Sequence, residues 1–388
     1  MTMLLAVVVL IAAAVALQGM VIRRFAFRHL TYTCRFSTQE ATEGDEITLI
    51  EEVENRGLLP LPWLKAEITS SKWLEFAGSQ SMVTEETRFV PSFFMMKAHH
   101  RVTRSWKVRC TKRGIYDLKK VVLVTTDLFG GNSPSQVVHV DARLTVLPAP
   151  ADLTLDFQTP RHMIGDVVVR RHLLSDPFLI AGVREYAPGD TMNRIHWLAT
   201  ARQNNLMVHN NEYSAGQSLS VILNMQSRSY EKDGVIDRDK IEDAIRVAAG
   251  YFDDTLRSGL PVRFLCNAGP LHSREPVVTG EYHGREHVHE LLCRLAALPL
   301  FSTENFPTFL GTTCRSLDSS DLVLITCYVN AEIFAYAAAK QAMGCRVKII
   351  HIGPIPESTR LPDGLDIYTY REEEHRAAGT SSAPPAAS

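Results

Sequence analysis

Two hydrophobic rhythms divide this chain, and the change from one to the other bounds every fold it can adopt. From about Tyr32 to Pro148, apolar and polar residues alternate with period two. Examples are ITLIEEVEN (Ile47 to Asn55), WLKAEIT (Trp63 to Thr69), HRVTRSWKVRC (His100 to Cys110) and KKVVLVTTD (Lys119 to Asp127). Turn residues punctuate these runs at Glu43-Gly44-Asp45, Asn55-Arg56-Gly57, Arg113-Gly114 and Gly130-Gly131-Asn132. Short alternating strands without helical periods predict an antiparallel β-sandwich of immunoglobulin-like size over residues 30–150. Phe93-Phe94-Met95-Met96 reads as core or strand end in preference to a binding surface.

From Leu219 the rhythm becomes strand, helix, strand, helix. LSVILN is a short apolar run suited to a strand buried on both faces. The next segment puts Ile241, Ala244, Ile245, Ala248, Phe252 and Leu256 on one helical face, with Asp237 as N-cap and Gly259 as stop. Further strands at PVRFLC, DLVLIT and CRVKIIHIG alternate with helices around HVHELLCRLAAL and AEIFAYAAAKQAMG, the latter capped by Asn330 and ended by Gly344. An open α/β domain with a mostly parallel sheet is expected over residues 219–371. Residues 151–218 read as a linker, and the small, proline-rich tail 372–388 as disordered.

The N-terminus adds a third expectation. Met3 to Ile22 is about the length an apolar helix needs to cross a bilayer, and Arg23, Arg24 and Arg28 follow at once. That charge order predicts a single-pass transmembrane anchor over residues 1–29, with the bulk of the chain on the cytoplasmic side of the cell membrane. Ala14-Val15-Ala16 imitates a signal-peptide cleavage site, but such peptides carry their positive charge before the apolar run. Net charge of -2 and the lack of a Lys/Arg run argue against a dedicated nucleic-acid binder. The seven cysteines, odd in number and several inside apolar runs, read as buried thiols rather than a disulfide framework or zinc site.

Catalytic fingerprints are missing: the chain has no P-loop, GxSxG elbow, HExxH pair or GxGxxG. His283, His287 and His289 could hold a metal with Glu286 or Glu290, but read more simply as the solvated first turn of a helix. An open α/β sheet places its ligands beyond the carboxyl ends of its strands. A metal-dependent adhesion site there would want an Asp followed by two serines on alternate positions. Asn224, Gln226 and Arg228 stand at those positions, so the site reads as degraded and no metal or cofactor is expected.

Between the two rhythms lies VREYAPGDTMNRIHWLATAR (Val183 to Arg202), dense in Arg, Glu, Tyr, Asp, His and Trp around a Pro-Gly-Asp turn. One reading has Arg184, Arg194 and Arg202 gripping an anion, with His196 as proton donor. The other has these arginines paired with Glu185 and Asp190 in a clasp, Trp197 being buried as packing. Nearly balanced charges and the lack of a nucleophile favour the clasp.

The stretch resembles the signature of a bacterial family, domain of unknown function 58. The matching positions are Arg184, Glu185, Tyr186, Gly189, Asp190, Arg194, Ile195, His196, Trp197, Ala201 and Arg202. Lys112-Arg113-Gly114-Ile115-Tyr116 and Asp127-Leu128-Phe129-Gly130 are similar to further family motifs. The resemblance implies a membrane-tethered protein with a β-sandwich and a von Willebrand factor A-like domain, working beside MoxR-type AAA+ ATPases in assembly or maturation of other proteins. Family members often begin with two membrane helices, whereas this sequence has one apolar run. The expectation is therefore a non-catalytic interaction scaffold whose α/β domain docks a protein partner. The alternatives are a metal-dependent ligand-binding domain and an enzyme acting on an anionic substrate.

Overall fold

The computed structural model describes residues 2–126, 133–153, 157–158, 182–186, 195, 197–203, 205–210, 218–231, 234–257, 259–270, 275–317, 321–356, 359–362 and 364–370. The chain divides into two compact units, Met1–Ala149 and Pro150–Ser388.

In the first unit a helix, α1 (Thr2–Phe25), precedes ten strands. These are β1 (Leu30–Phe36), β2 (Glu40–Thr42), β3 (Glu46–Asn55), β4 (Leu61–Ser71), β5 (Leu74–Phe76), β6 (Met82–Thr84), β7 (Thr87–Met96), β8 (His100–Cys110), β9 (Gly114–Thr125) and β10 (Ser135–Leu147). They form a four-stranded sheet, β1-β3-β8-β5, and a six-stranded sheet, β2-β10-β9-β4-β7-β6. Among the described residues each pairing is antiparallel except the short parallel one of β10 with β2. Period-two patterning explains the arrangement. Inward residues of both sheets, among them Leu49, Val53, Leu64, Ile68, Val90, Val108, Val121 and Leu144, merge into one buried core. β7 shows the same rule at Phe93–Met96. Phe94 and Met96 are buried, but Phe93 and Met95 are 61% and 68% exposed, so only half of that patch is core.

The expected transmembrane span is corrected here. Its residues do form α1, but no helix among the described residues is long and apolar enough to cross a membrane. The apolar run is interrupted by Gln18 and Gly19. Its last turn and the residues after it carry Ile22 and Ala26 into the core of the sandwich.

In the second unit an antiparallel pair joins β12 (Gly182–Glu185) to β13 (Met207–Asn210), with α2 (Trp197–Gln203) between them in sequence. The main sheet uses β11 (Phe157–Gln158), β14 (Leu219–Leu223), β15 (Val262–Cys266), β16 (Val277–Tyr282), β17 (Asp321–Thr326), β18 (Arg346–Ile352) and β19 (Asp366–Tyr370). Their order is β11-β19-β18-β17-β14-β15-β16. The five central strands are parallel, and β16 and β11 close the edges antiparallel.

Helices α3 (Arg238–Arg257), α4 (His287–Ala297), α5 (Phe306–Thr312) and α6 (Ala331–Ala342) cover the sheet. Two clusters account for the unbroken apolar run in β14. Leu219, Val221 and Leu223 join the core with α3 and α4, whereas Ile222 joins the one with α5 and α6. Helix caps fall where the sequence placed them. Asp237 accepts from the Lys240 amide at 3.3 Å, Asn330 from the Ile333 amide at 2.9 Å, and Gly259 and Gly344 take positive φ.

Candidate functional site

In the second unit, successive strands are added on one side of β14 and then on the other. The reversal leaves the carboxyl ends of β14 and β17 flanking the crevice where open parallel sheets place ligands. Register brings Leu223 level with Cys266 and Ile325, so Asn224, Asn267 and Thr326 meet just beyond the strands.

The polar groups there are spent on one another. Asn224, fully buried, donates through Nδ2 to Thr326 Oγ1 at 3.0 Å, and its Oδ1 accepts from the Gln226 amide at 3.0 Å and from Asn267 Nδ2 at 3.4 Å. Asn267 Oδ1 accepts from the Met225 amide at 2.8 Å, and its Nδ2 also donates to the Glu304 carbonyl at 3.1 Å. Gln226 Oε1 accepts from the Phe306 amide at 2.8 Å and the Tyr328 hydroxyl at 3.3 Å. Ser227 is tied to Glu231, which also accepts the Ile236 amide. Burial pushes the Tyr328 hydroxyl up to about 12, so it stays a donor across the working pH range.

This donor set does not suit a hard divalent cation. Such an ion needs several oxygens with carboxylate charge, whereas the converging side chains are neutral amides and hydroxyls committed to protein partners, and the one carboxylate beside them, Glu231, is taken by Ser227 and the Ile236 amide. Arg228, the third position of the degraded pattern, is exposed at the surface of the loop. In the histidine-rich turn, Glu290 and His287 are likewise engaged. Glu290 accepts from the Tyr282 hydroxyl at 2.7 Å and from Arg294 at 3.0 Å, and these two hydrogen bonds, in that order, hold its carboxyl below the usual range. His287 lies against the Tyr282 ring, with centroids 5.2 Å apart.

The described part of the signature is built on the β12–β13 pair, which sets Arg184 opposite Val208 and Glu185 opposite Met207. The Tyr186 amide donates to the Leu206 carbonyl at 2.8 Å. Thr200 of α2 accepts from the Met207 amide at 3.0 Å, fastening the helix to β13, and Ile195 and Met207 are buried. Trp197 departs from the clasp expectation. It is 69% exposed, next to Leu198 at 62%, with Leu206 at 46%. The reason is its place at the first position of a short helix whose contact with β13 runs through Thr200. Arg202 is also exposed. The side chains of Arg184 and Glu185, and all of Gly189, Asp190, Arg194 and His196, lie outside the described residues.

A two-sheet β unit and an open, mostly parallel sheet define a two-unit protein of mixed class. Residues 182–364 match the family model described as protein of unknown function DUF58. No curated protein matches the chain. Among solved structures, it is similar to a non-cellulosomal cohesin from Archaeoglobus fulgidus, with 17% identity, 30% of this chain, 91% of that one and a TM-score of 0.22. A Salmonella alpha-2-macroglobulin shares 15% identity over 34% of this chain and only 8% of its own length, with a TM-score of 0.22. A type I cohesin–dockerin complex from Clostridium thermocellum shares 11% identity over 30% of this chain and 99% of that one, with a TM-score of 0.21. Scores this low carry no argument about this chain.

Proposed function

We propose that this protein is a non-catalytic docking scaffold, and that its second unit is a von Willebrand factor A-like domain that binds a protein partner without a metal ion. The observation that carries the proposal is the exposed Trp197–Leu198 pair inside the family signature. Exposed aromatic and aliphatic side chains grouped on a fixed element mark protein-binding surfaces, where Trp is the residue that most often dominates the energy. The strand order, with the first strand central and an antiparallel edge strand at β16, supports the von Willebrand factor A-like reading. The self-satisfied amides at the strand ends support a rigid, metal-independent platform. The family resemblance names the candidate partner, a MoxR-type AAA+ ATPase, and the process, assembly or maturation of other proteins.

The test is capture of that ATPase by the full chain and by Trp197→Ala and Leu198→Ala variants. Loss of capture with unchanged thermal melting supports docking through the signature. Capture unaffected by both substitutions, or abolished by a metal chelator, overturns it.

A further inference from the structure

Outside the second unit, the first unit carries a surface that its own fold does not use. Three segments are tied together at one end of the sandwich. The Arg56 amide donates to the His29 carbonyl at 2.9 Å, and the His99 amide to the Gly57 carbonyl at 3.3 Å. Asn55 Nδ2 donates to the carbonyls of Leu59 at 2.8 Å and Lys97 at 3.0 Å. His99 takes a positive φ of 52° to make this turn. The approach is tight at Gly57, where a Cβ would lie 3.3 Å from both Asn55 Oδ1 and His29 Cβ. The exit of α1, the β3–β4 loop and the β7–β8 hairpin therefore form one rim.

That rim is amphiphilic. Arg23, Arg24, Arg28 and Lys97 are exposed, and none of them forms an ion pair among the described residues. The acidic groups nearby are already engaged, Glu54 with Arg56 at 2.9 Å and Arg101 at 3.2 Å, and Glu52 with Arg101 at 3.2 Å. Between the cations stand large apolar side chains. Leu58 is 82% exposed at the tip of its loop and Phe25 is 43% exposed, with the Arg28 guanidinium 5.9 Å from its ring centre. Just inside the rim, Trp63 on β4 and Met95 on β7 face outward on paired strands at 62% and 68% exposure.

We propose that this rim docks on an anionic lipid surface. Uncompensated cations attract negatively charged headgroups, and a neighbouring tryptophan with flexible aliphatic tips inserts among them at the interface. Nucleic acid would use the cations and could stack on Phe25 and Trp63, but it would gain little from Leu58 and Met95, which an acyl boundary accommodates together with the rings. The contact is peripheral: the rim lies on the headgroups, and no segment has to cross the bilayer.

The test uses the full chain in sedimentation with phosphatidylcholine vesicles, with and without phosphatidylglycerol. Binding is expected only to the vesicles that contain the anionic lipid, and it should weaken as salt rises. The combined variant Arg24→Glu, Arg28→Glu and Lys97→Glu is expected to lower partitioning by about a hundredfold or more. A matched reversal elsewhere on the unit, Arg109→Glu with Lys119→Glu and Lys120→Glu, should change it little. Leu58→Ala with Trp63→Ala should weaken binding while leaving the charge untouched, which keeps the idea testable if the charge variant misfolds. No vesicle binding, equal binding to neutral vesicles, or equal losses in the rim and matched variants would each overturn the proposal. So would a rim variant that keeps vesicle binding and loses RNA binding.

Discussion

Glu51 offers a test of how the sandwich is held together. It is fully buried on the inward face of β3, where Leu49 and Val53 flank it. Its carboxylate accepts from the Tyr32 hydroxyl at 2.7 Å, the Ser92 hydroxyl at 2.6 Å and the Trp106 indole at 2.6 Å. Ser92 belongs to the six-stranded sheet and the other two donors to the four-stranded one, so the cluster pins the layers together. Burial, and then the nearby Glu51 charge, push the Tyr32 hydroxyl far above its ordinary range and keep it a donor.

Glu51→Leu removes the acceptor and strands these donors. The two buried ones cost about 1–3 kcal/mol each, whereas the half-buried Trp106 indole can turn to water. The gain from the apolar leucine offsets about 1 kcal/mol. A net loss of about 3 kcal/mol is expected, a large part of the stability of an ordinary domain. The triple variant Glu51→Leu, Tyr32→Phe and Ser92→Ala removes the stranded donors too, and should recover to within about 1.5 kcal/mol of the parent. Urea unfolding followed by tryptophan fluorescence suits the measurement, because Trp63, Trp73 and Trp106 all lie in the first unit. A single variant that loses less than about 1 kcal/mol, or a triple variant as unstable as the single, would refute the reasoning.

Three further outcomes are expected. At Gly250 on α3 a Cβ would lie 2.5 Å from the Ala151 carbonyl oxygen and 3.2 Å from a Leu153 methyl. Overpacking of about 1–3 kcal/mol therefore outweighs the roughly 1 kcal/mol gain in helix propensity, and Gly250→Ala should unfold at lower urea. Asn224→Asp loses the donor to Thr326 and buries a charge among amides, costing about 2–4 kcal/mol. Calorimetric melting should show no rescue by Mg²⁺, and a rise in melting temperature with Mg²⁺ would revive a metal site.

His351 is buried, and that burial lowers its pKa from the ordinary value. Below that ordinary value the unfolded chain takes up a proton that the folded one resists. Stability of the second unit should therefore fall as pH drops from about 7 toward 5, by at most about 1.4 kcal/mol per pH unit. Because other histidines also titrate, the difference between the parent and His351→Gln, followed by chemical unfolding across this range, is the quantity that checks it.

Much of the fold was legible because side-chain period follows backbone geometry. The alternation in β3 and the unbroken run in β14 each report how many faces of a strand are covered, and the Asp237 and Asn330 caps mark helix starts by local hydrogen bonding. What escaped depends on contacts far apart in the chain. Glu51 sits on an inward register position, a visible anomaly, but its donors come from residues 19, 41 and 55 positions away. Asn224 could be read as a poor metal ligand, yet Asn267 and Thr326, which make it a structural residue, are 43 and 102 positions away. The apolar run at the N-terminus was read from its length and the arginines that follow it, and neither registers that Ile22 and Ala26 belong to the sandwich core. Trp197 was assigned to packing on residue type, while its exposure follows from its position on α2.

None of the seven cysteines is in a disulfide, and five are buried: Cys34 and Cys110 in the first unit, Cys266, Cys314 and Cys327 in the second. Burial pushes Cys34 and Cys314 up to about 12 and Cys110 to about 11, so these thiols are slow nucleophiles while the chain stays folded. The chain thus carries an opening clock for each unit. An alkylating reagent followed by peptide mass spectrometry reads how often each sheet exposes its interior, with half-buried Cys293 and Cys345 reporting the reagent's access to the folded surface.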